Sequence, residues 1–267
     1  MQYKLIASDM DGTLLDLKRA ISPENLAAIR KALDLGVIFT ISTGRSMVAV
    51  KRYQEILQLK TPIITYNGGA IVMPDTGEVL YQKNLNPKAA ARVIRRGRAL
   101  KASMCIWSGN TLYILREDTY TMQYAERAGG ATLLKRSEVR DVIQQGISKI
   151  LWYDTEERLE KFQESLSKKP IEDVAYFTSS AVFLEIVDSG VSKGSALQFL
   201  GEYHGISAAE MIAIGDGMND IAMLEYAGLG VAMENASDAV KDAADFVTGA
   251  NVNDGVAQVI ERFVLQK

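Results

Sequence analysis

The stretch that most constrains the fold is residues 5–15, where a short apolar run ends at two acidic residues. Tyr3 to Ala7 is apolar except for one lysine, which predicts a strand buried in a sheet. Asp9 and Asp11 follow, one residue apart, and alternate side chains of an extended chain point the same way. Two carboxylates at one spot repel each other unless a cation or a shared proton holds them. For this stretch alone, an Asp-Gly turn between two strands is the alternative.

Strand and helix patterns then alternate. Residues 22–36 predict a helix, with a serine cap followed by proline and glutamate at its start and a glycine at its end. Residues 37–42 predict a second buried strand, which is followed by a helical stretch up to Leu59. Residues 62–66 predict a third strand. This alternation is typical of a parallel sheet with helices on both faces.

The pattern changes after the third strand. A hairpin predicted over residues 70–82 is followed by strand pairs and helices, which together predict an antiparallel sheet backed by helices. The earlier alternation returns at Lys193. We therefore predict an α/β fold with a Rossmann-like parallel-sheet core (residues 1–82 and 189–267) and an inserted α+β cap domain (residues 83–188).

Composition and charge argue against several classes of function. The net charge of −3 and the pI near 5.4 imply no long-range attraction to nucleic acid or to an anionic membrane. No apolar run approaches the length of a membrane span, and the start of the chain leaves no room for a signal peptide. The single cysteine, Cys105, excludes an internal disulfide framework. We expect a cytoplasmic monomer or weak homo-oligomer without nucleic-acid or membrane partners.

Four polar clusters fall where strands of the predicted core end. They are Asp9-Met10-Asp11, Thr43-Gly44-Arg45, Lys193 and Gly215-Asp216-Gly217-Met218-Asn219-Asp220. Open parallel sheets bind their ligands at the carboxyl ends of the strands. Carboxylates beside a glycine-rich acidic loop suit a hard cation such as Mg²⁺, whereas a lysine, a hydroxyl and the N–H groups at a helix start suit a phosphate. These are the groups that phosphoryl transfer requires.

The motifs D-x-D-G-T, S-T-G-R, G-V-S-K-G and G-D-G-M-N-D occur in this order. With them the chain resembles, over essentially its full length, the haloacid dehalogenase (HAD) superfamily. More narrowly, it resembles the Cof-type phosphatases, which have an α/β cap inserted after the third core strand. The resemblance implies a Mg²⁺-dependent phosphatase for small phosphorylated metabolites, with sugar phosphates as the leading class.

The resemblance also implies a role for each motif residue. Asp9 would be the nucleophile that forms an aspartyl-phosphate, and Asp11 would be the general acid and then the general base. Mg²⁺ would be held by Asp9, the backbone carbonyl of Asp11 and Asp216, with Asp220 supporting the metal and Lys193. The phosphoryl group would be bound by Met10, Thr43, Gly44, Lys193 and Asn219. Because Mg²⁺ and Lys193 both favour its charged form, Asp9 is expected to stay ionised.

The sequence patterns of two other classes of hydrolase are matched in part. Residues 190–194 fit G-x-S-x-G, the nucleophile elbow of serine hydrolases. That mechanism needs a histidine, and the only one, His204, follows Ser192 by twelve residues in the same predicted helix, too near to fold back. A cysteine phosphatase needs an arginine six residues after Cys105, where Thr111 stands instead. These spacings argue against both mechanisms.

Two alternatives to a phosphatase stay open. A phosphomutase shares the first half-reaction but returns the phosphoryl group to a sugar. A regulatory module would bind a phosphorylated metabolite without turning it over. The presence of both Asp9 and Asp11 argues against the regulatory module, because binding alone does not need the second carboxylate.

Overall fold

The computed structural model describes residues 3–109 and 111–266; Met1 and Gln2, on which the expectation about a signal peptide partly rests, lie outside the described residues. The strands are β1 (Leu5–Ser8), β2 (Ile38–Ile41), β3 (Ile63–Thr65), β4 (Ala70–Val72), β5 (Val79–Gln82), β6 (Ser103–Ser108), β7 (Thr111–Ile114), β8 (Thr132–Leu133), β9 (Lys149–Tyr153), β10 (Val174–Ser180), β11 (Phe183–Asp188), β12 (Met211–Gly215), β13 (Leu229–Met233) and β14 (Phe246–Thr248). The helices are α1 (Pro23–Asp34), α2 (Met47–Leu57), α3 (Pro87–Ala99), α4 (Thr119–Arg127), α5 (Val139–Gln145), α6 (Glu156–Lys168), α7 (Lys193–His204), α8 (Ile221–Tyr226), α9 (Asp238–Asp242) and α10 (Gly255–Phe263).

Contacts between residues divide the chain into two compact units. One unit runs up to Tyr81 and resumes at Ser192, and the other runs from Gln82 to Val191. Among the described residues, no helix is both long enough and apolar enough to cross a membrane.

The first unit is built on a five-stranded sheet of order β14-β13-β12-β1-β2, in which every pair of neighbours is parallel. Alternate side chains of β1 enter different apolar clusters. Ile6 packs with residues of α1, α2 and α10, whereas Leu5 and Ala7 pack with residues of α7 and α8. The predicted α/β fold with helices on both faces is confirmed. The carboxyl ends of β1, β2 and β12 consequently meet at one edge of the sheet.

The third predicted strand, over residues 62–66, departs from the prediction of a continuous parallel sheet. β3 pairs antiparallel with β4 in a small sheet of order β3-β4-β5. It meets the parallel sheet at one bridge, between Ser42 and Ile64, and this bridge is parallel as predicted. The pairing with β4 has a local cause, because Tyr66 and Asn67 both adopt positive φ and turn the chain straight back.

The second unit contains a six-stranded sheet of order β10-β11-β9-β6-β7-β8. Its neighbours are antiparallel, as predicted for this segment, except for the parallel pair β7–β8. Ile106 and Ile150 lie side by side on one face of this sheet. They share an apolar cluster with Val93 of α3, Val142 of α5 and Phe162 of α6, so the helices back the sheet as expected.

β9 and β11 carry a buried ion pair. Lys149 Nζ lies 3.1 Å from Glu185 Oε2, and the two side chains are only 3% and 8% exposed. Removing two charges from water is costly, and the cost is offset only while both partners are present. Substitution of either residue by an uncharged one would therefore leave the charge of the other buried.

We predict that Lys149→Met destabilises the protein by about 3–5 kcal/mol, because it leaves the Glu185 carboxylate buried without the ammonium group. Lys149→Met combined with Glu185→Leu should be less destabilising than the single change, since no charge remains. Urea unfolding measures both. Lys161→Met is the matched control, because its ion pair with Glu157 is exposed and its loss should hardly move the midpoint. A double variant less stable than Lys149→Met would contradict the prediction.

Candidate active site

Three chain segments meet at the ammonium group of Lys193. Its Nζ lies 2.5 Å from Asp9 Oδ1 and 2.5 Å from Asp220 Oδ1. Lys193 and Asp220 are fully buried, and Asp9 is 7% exposed. Asp9 follows β1, Lys193 is the first residue of α7, and Asp220 closes the loop after β12. The carboxyl edge of the parallel sheet thus holds Asp9 and Asp220, and the start of α7 places Lys193 beside them. The prediction that Lys193 follows a strand of the core is wrong, because the strand before it, β11, belongs to the antiparallel sheet.

Burial opposes charge on Asp9. It raises the pKa of the Asp9 carboxyl to about 8, even though the Lys193 ammonium group works in the opposite direction. Burial also disfavours the charged form of Lys193, but the carboxylates of Asp220 and Asp9 outweigh this effect, and the pKa of Lys193 is raised. Lys193 thus favours the ionised form of Asp9 against a larger opposing effect of burial. A second positive charge beside Asp9 would favour the ionised form further.

Asp9, Asp216 and Asp220 each present a carboxylate oxygen within 4.8 Å of the other two, a grouping able to hold a metal ion. Thr13 Oγ1 donates a hydrogen bond of 2.7 Å to Asp216 Oδ1 and fixes this carboxylate. Burial raises the pKa of Asp216 to about 6, against the effect of the Thr13 bond. Gly12 has φ +85°, and a Cβ there would lie 2.2 Å from Asp216 Oδ2, so only glycine fits beneath the carboxylate.

The Asp220 carboxylate is occupied on both oxygens. Oδ1 accepts from Lys193, and Oδ2 accepts the backbone N–H groups of Asp216 (3.0 Å) and Gly217 (2.8 Å). Asp220 therefore shapes the loop that presents Asp216 and also holds the lysine. This geometry suits the supporting role expected for Asp220 better than direct metal ligation.

The Asp11 carboxylate is bound by a different cation. Arg45 Nε donates to Asp11 Oδ2 at 2.7 Å, and Arg45 Nη2 donates to Asp11 Oδ1. The Asp11 side chain is 56% exposed, and within the described part of the chain it does not join the acidic cluster. The strand pattern led us to expect Asp9 and Asp11 at one spot. Their partners differ, however, because the chain leaves the extended conformation at Met10 and turns.

The residues expected to bind phosphate lie in three of the loops. Thr43 and Gly44 follow β2; the Thr43 residue is 1% exposed, and its Oγ1 accepts the Arg45 backbone N–H at 3.2 Å. Asn219 Nδ2 donates a hydrogen bond of 2.9 Å to Asn67 Oδ1. The side chain of Met10 is fully buried in the core, which leaves only its backbone for ligand binding.

Three residues of this site were given no role by the sequence. Arg45 and Thr13 lie inside two of the four motifs. A polar side chain within a motif rich in acids could have indicated a hydrogen bond to one of the carboxylates. Asn67 precedes two glycines after a strand, a pattern that indicates only a turn. Nothing in the sequence indicated that its side chain would contact Asn219.

The two competing nucleophiles have structural roles. Ser192 Oγ accepts the Ser195 N–H at 2.9 Å and caps α7, whose last residue is His204. Cys105 is buried, and burial raises the pKa of its thiol to about 12, opposite to what a reactive cysteine needs. Both findings agree with the sequence spacings, which argue against these two mechanisms.

Comparisons with known proteins agree over the whole chain. A family model described as haloacid dehalogenase-like hydrolase matches residues 6–260. A 5-amino-6-(5-phospho-D-ribitylamino)uracil phosphatase of Bacillus subtilis is 35% identical over 99% of this chain and 97% of its own. A pyridoxal phosphate phosphatase of Escherichia coli is 30% identical over 97% and 98%. The crystal structure of a haloacid dehalogenase-like hydrolase from Bacteroides thetaiotaomicron has a TM-score of 0.85 and 31% identity, covering 97% of this chain and 99% of that one.

We predict that Ser192→Ala lowers stability by about 1 kcal/mol through loss of the helix cap but leaves hydrolysis of a phosphate ester nearly unchanged. Lys193→Met should instead lower kcat by about 10²-fold or more, because the buried positive charge is gone. Urea midpoints and kcat for both variants test this. Ser192→Thr is the control that keeps a capping hydroxyl. Greater loss of activity in Ser192→Ala than in Lys193→Met would overturn these assignments.

Proposed function

The chain belongs to the haloacid dehalogenase-like hydrolases and is a phosphoric monoester hydrolase, and from this premise we propose how it acts and on what. We propose that it hydrolyses small phosphorylated metabolites with Mg²⁺, through a phosphoryl group carried on Asp9. The observation that carries the proposal is the buried Lys193, within 2.5 Å of both Asp9 and Asp220 and beside the third carboxylate, Asp216.

Mg²⁺ fits the donor set of this site. We propose Asp9, Asp216 and the backbone carbonyl of Asp11 as its ligands, since Mg²⁺ prefers oxygen donors and few carboxylates. Asp216 is held ready by Thr13. Asp220 would stay in the outer shell because its oxygens already have partners. A bound Mg²⁺ would neutralise charge on the phosphoryl oxygens and on Asp9.

Asp9 is proposed as the nucleophile. An acyl-phosphate on its carboxylate divides one slow displacement into two faster steps. Lys193 holds Asp9 Oδ1 in place and supplies positive charge where negative charge develops. On the basis of the family resemblance, we propose that the other phosphoryl oxygens are bound by Thr43, Gly44, Asn219 and the backbone at Met10.

Asp11 is proposed to protonate the leaving oxygen and then to deprotonate the attacking water. The ion pair with Arg45 bears on this role, since it occupies both carboxylate oxygens. Asp11 must release at least one of these bonds to reach a leaving group. Its 56% exposure leaves the side chain room to rotate.

For the substrate, we propose a small phosphorylated metabolite, with sugar phosphates as the first class to test. The two relatives above are named for phosphate esters of a ribitylamino-uracil and of pyridoxal, both small molecules. We propose residues 83–188 as the cap that selects the leaving group, because the four motifs serve only the phosphoryl group, the metal and the nucleophile. We also propose that the protein is a cytoplasmic monomer or weak homo-oligomer.

Asp9→Asn should lower kcat by roughly 10³-fold or more, because the amide keeps the shape but cannot attack phosphorus. Steady-state kinetics with a panel of phosphate esters gives the comparison. Asp34→Asn is the matched control, an exposed acid at the end of α1 where the same change should have no effect. Substantial turnover by pure Asp9→Asn would refute the proposed nucleophile.

Activity should disappear with chelator and return with Mg²⁺, whereas Ca²⁺ should substitute poorly because its coordination is looser. The Mg²⁺ concentration for half-maximal activity should be higher at pH 6 than at pH 8, because protons compete for carboxyl groups with raised pKa values. Asp216→Ala should raise that concentration sharply, and Asp34→Ala should not. Full activity in excess chelator would exclude the metal assignment.

A further inference from the structure

The turn between β3 and β4 has a strained backbone. Tyr66, Asn67 and Gly68 have φ of +53°, +59° and +97° in succession. Residues other than glycine rarely adopt this left-handed conformation, although asparagine tolerates it better than most. Such strain persists only where the surrounding structure holds it in place, and it concentrates at functional sites. The contacts that hold this turn in place therefore indicate what it does.

The turn touches two of the motif segments through its backbone. The Asn67 N–H donates to the Thr43 carbonyl at 2.9 Å, which ties it to the loop after β2. Gly68 lies against the start of α7, where an added Cβ would be 2.1 Å from the Ser192 carbonyl oxygen. Both contacts need the left-handed backbone that brings the turn this close.

The Asn67 side chain reaches a third motif. It is buried, and its Oδ1 accepts the Asn219 Nδ2 hydrogen bond. A Cβ on Gly44 would lie 2.9 Å from Asn67 Oδ1, so the amide fills the space over that glycine. The other end of the Asn219 amide faces Gly217, where a Cβ would be 2.5 Å from Asn219 Oδ1. The bond to Asn67 uses one N–H of Asn219, and an amide nitrogen has two.

We propose that Asn67 is a positioning residue for the phosphoryl group. It fixes the Asn219 amide so that the second N–H points to a phosphoryl oxygen. The left-handed backbone is what allows one side chain to contact both loops. This inference rests on the proposed function, because it needs Asn219 to bind phosphate.

Asn67→Gly tests the side chain separately from the backbone, because glycine adopts positive φ without strain. The inhibition constant of inorganic phosphate, in the presence of Mg²⁺, should rise about 3- to 10-fold, the effect of one lost hydrogen bond. The melting temperature should change little. Asn67→Ala should raise the inhibition constant equally but melt earlier, since its Cβ meets the strain. Gln58→Gly is the matched control, a left-handed residue at the end of α2 that should leave phosphate inhibition unchanged.

The same measurements in an Asn219→Ala background decide whether Asn67 acts through Asn219. The proposal predicts that Asn67→Gly then has no further effect on phosphate inhibition. An unchanged inhibition constant in the single variant, or an equal rise in both backgrounds, would overturn it. Failure of both Asn67 variants to fold would also overturn it, in favour of a purely structural role. If the unmodified enzyme hydrolyses phosphate esters and Asp9→Asn does not, the proposed function stands whatever Asn67 does.

Discussion

The buried ammonium group of Lys193 is the interaction on which the candidate site depends. It is in contact with Asp9 and Asp220, and the three residues are almost completely removed from water. Two carboxyl groups flank one cation at the end of β1, and a third, that of Asp216, lies next to them. Burial disfavours the charged forms of Asp9 and Asp216, and a further cation bound between them would favour those forms. The proposed metal site and the proposed phosphate site are thus two consequences of one arrangement.

Much of this arrangement could be predicted from the sequence. Three of the four motifs follow an apolar strand of the parallel sheet, and parallel strands bring their carboxyl ends to a common edge whatever their separation in the chain. This is why Asp9 and Asp216 could be placed together without any knowledge of distances, whereas Lys193 begins α7 and was placed with them by the family resemblance. The fold class and the family follow from the same alternation and are confirmed by the parallel sheet and by the family match.

The rest depends on side-chain directions and on turns, which sequence patterns do not specify. The strand pattern placed the carboxylates of Asp9 and Asp11 at one spot, but the chain turns at Met10 and the Asp11 carboxylate forms an ion pair with Arg45. It continued the parallel sheet through β3, but β3 has only one parallel bridge to that sheet and pairs mainly with β4, because two left-handed residues reverse the chain after it. Asn67 illustrates why sequence patterns do not specify such contacts. An Asn-Gly pair indicates a turn in a plain hairpin, and it indicates a turn equally well where the asparagine positions an active-site amide.

The central claim is that the phosphoryl group passes through a covalent intermediate on the enzyme. The most direct test is the stereochemistry at phosphorus, measured with a phosphorothioate ester that is chiral through sulfur and two oxygen isotopes and is hydrolysed in water carrying the third isotope. Two successive in-line displacements, first by the enzyme and then by water, predict net retention of configuration. Inversion would mean that water attacks the substrate directly, and it would contradict the account.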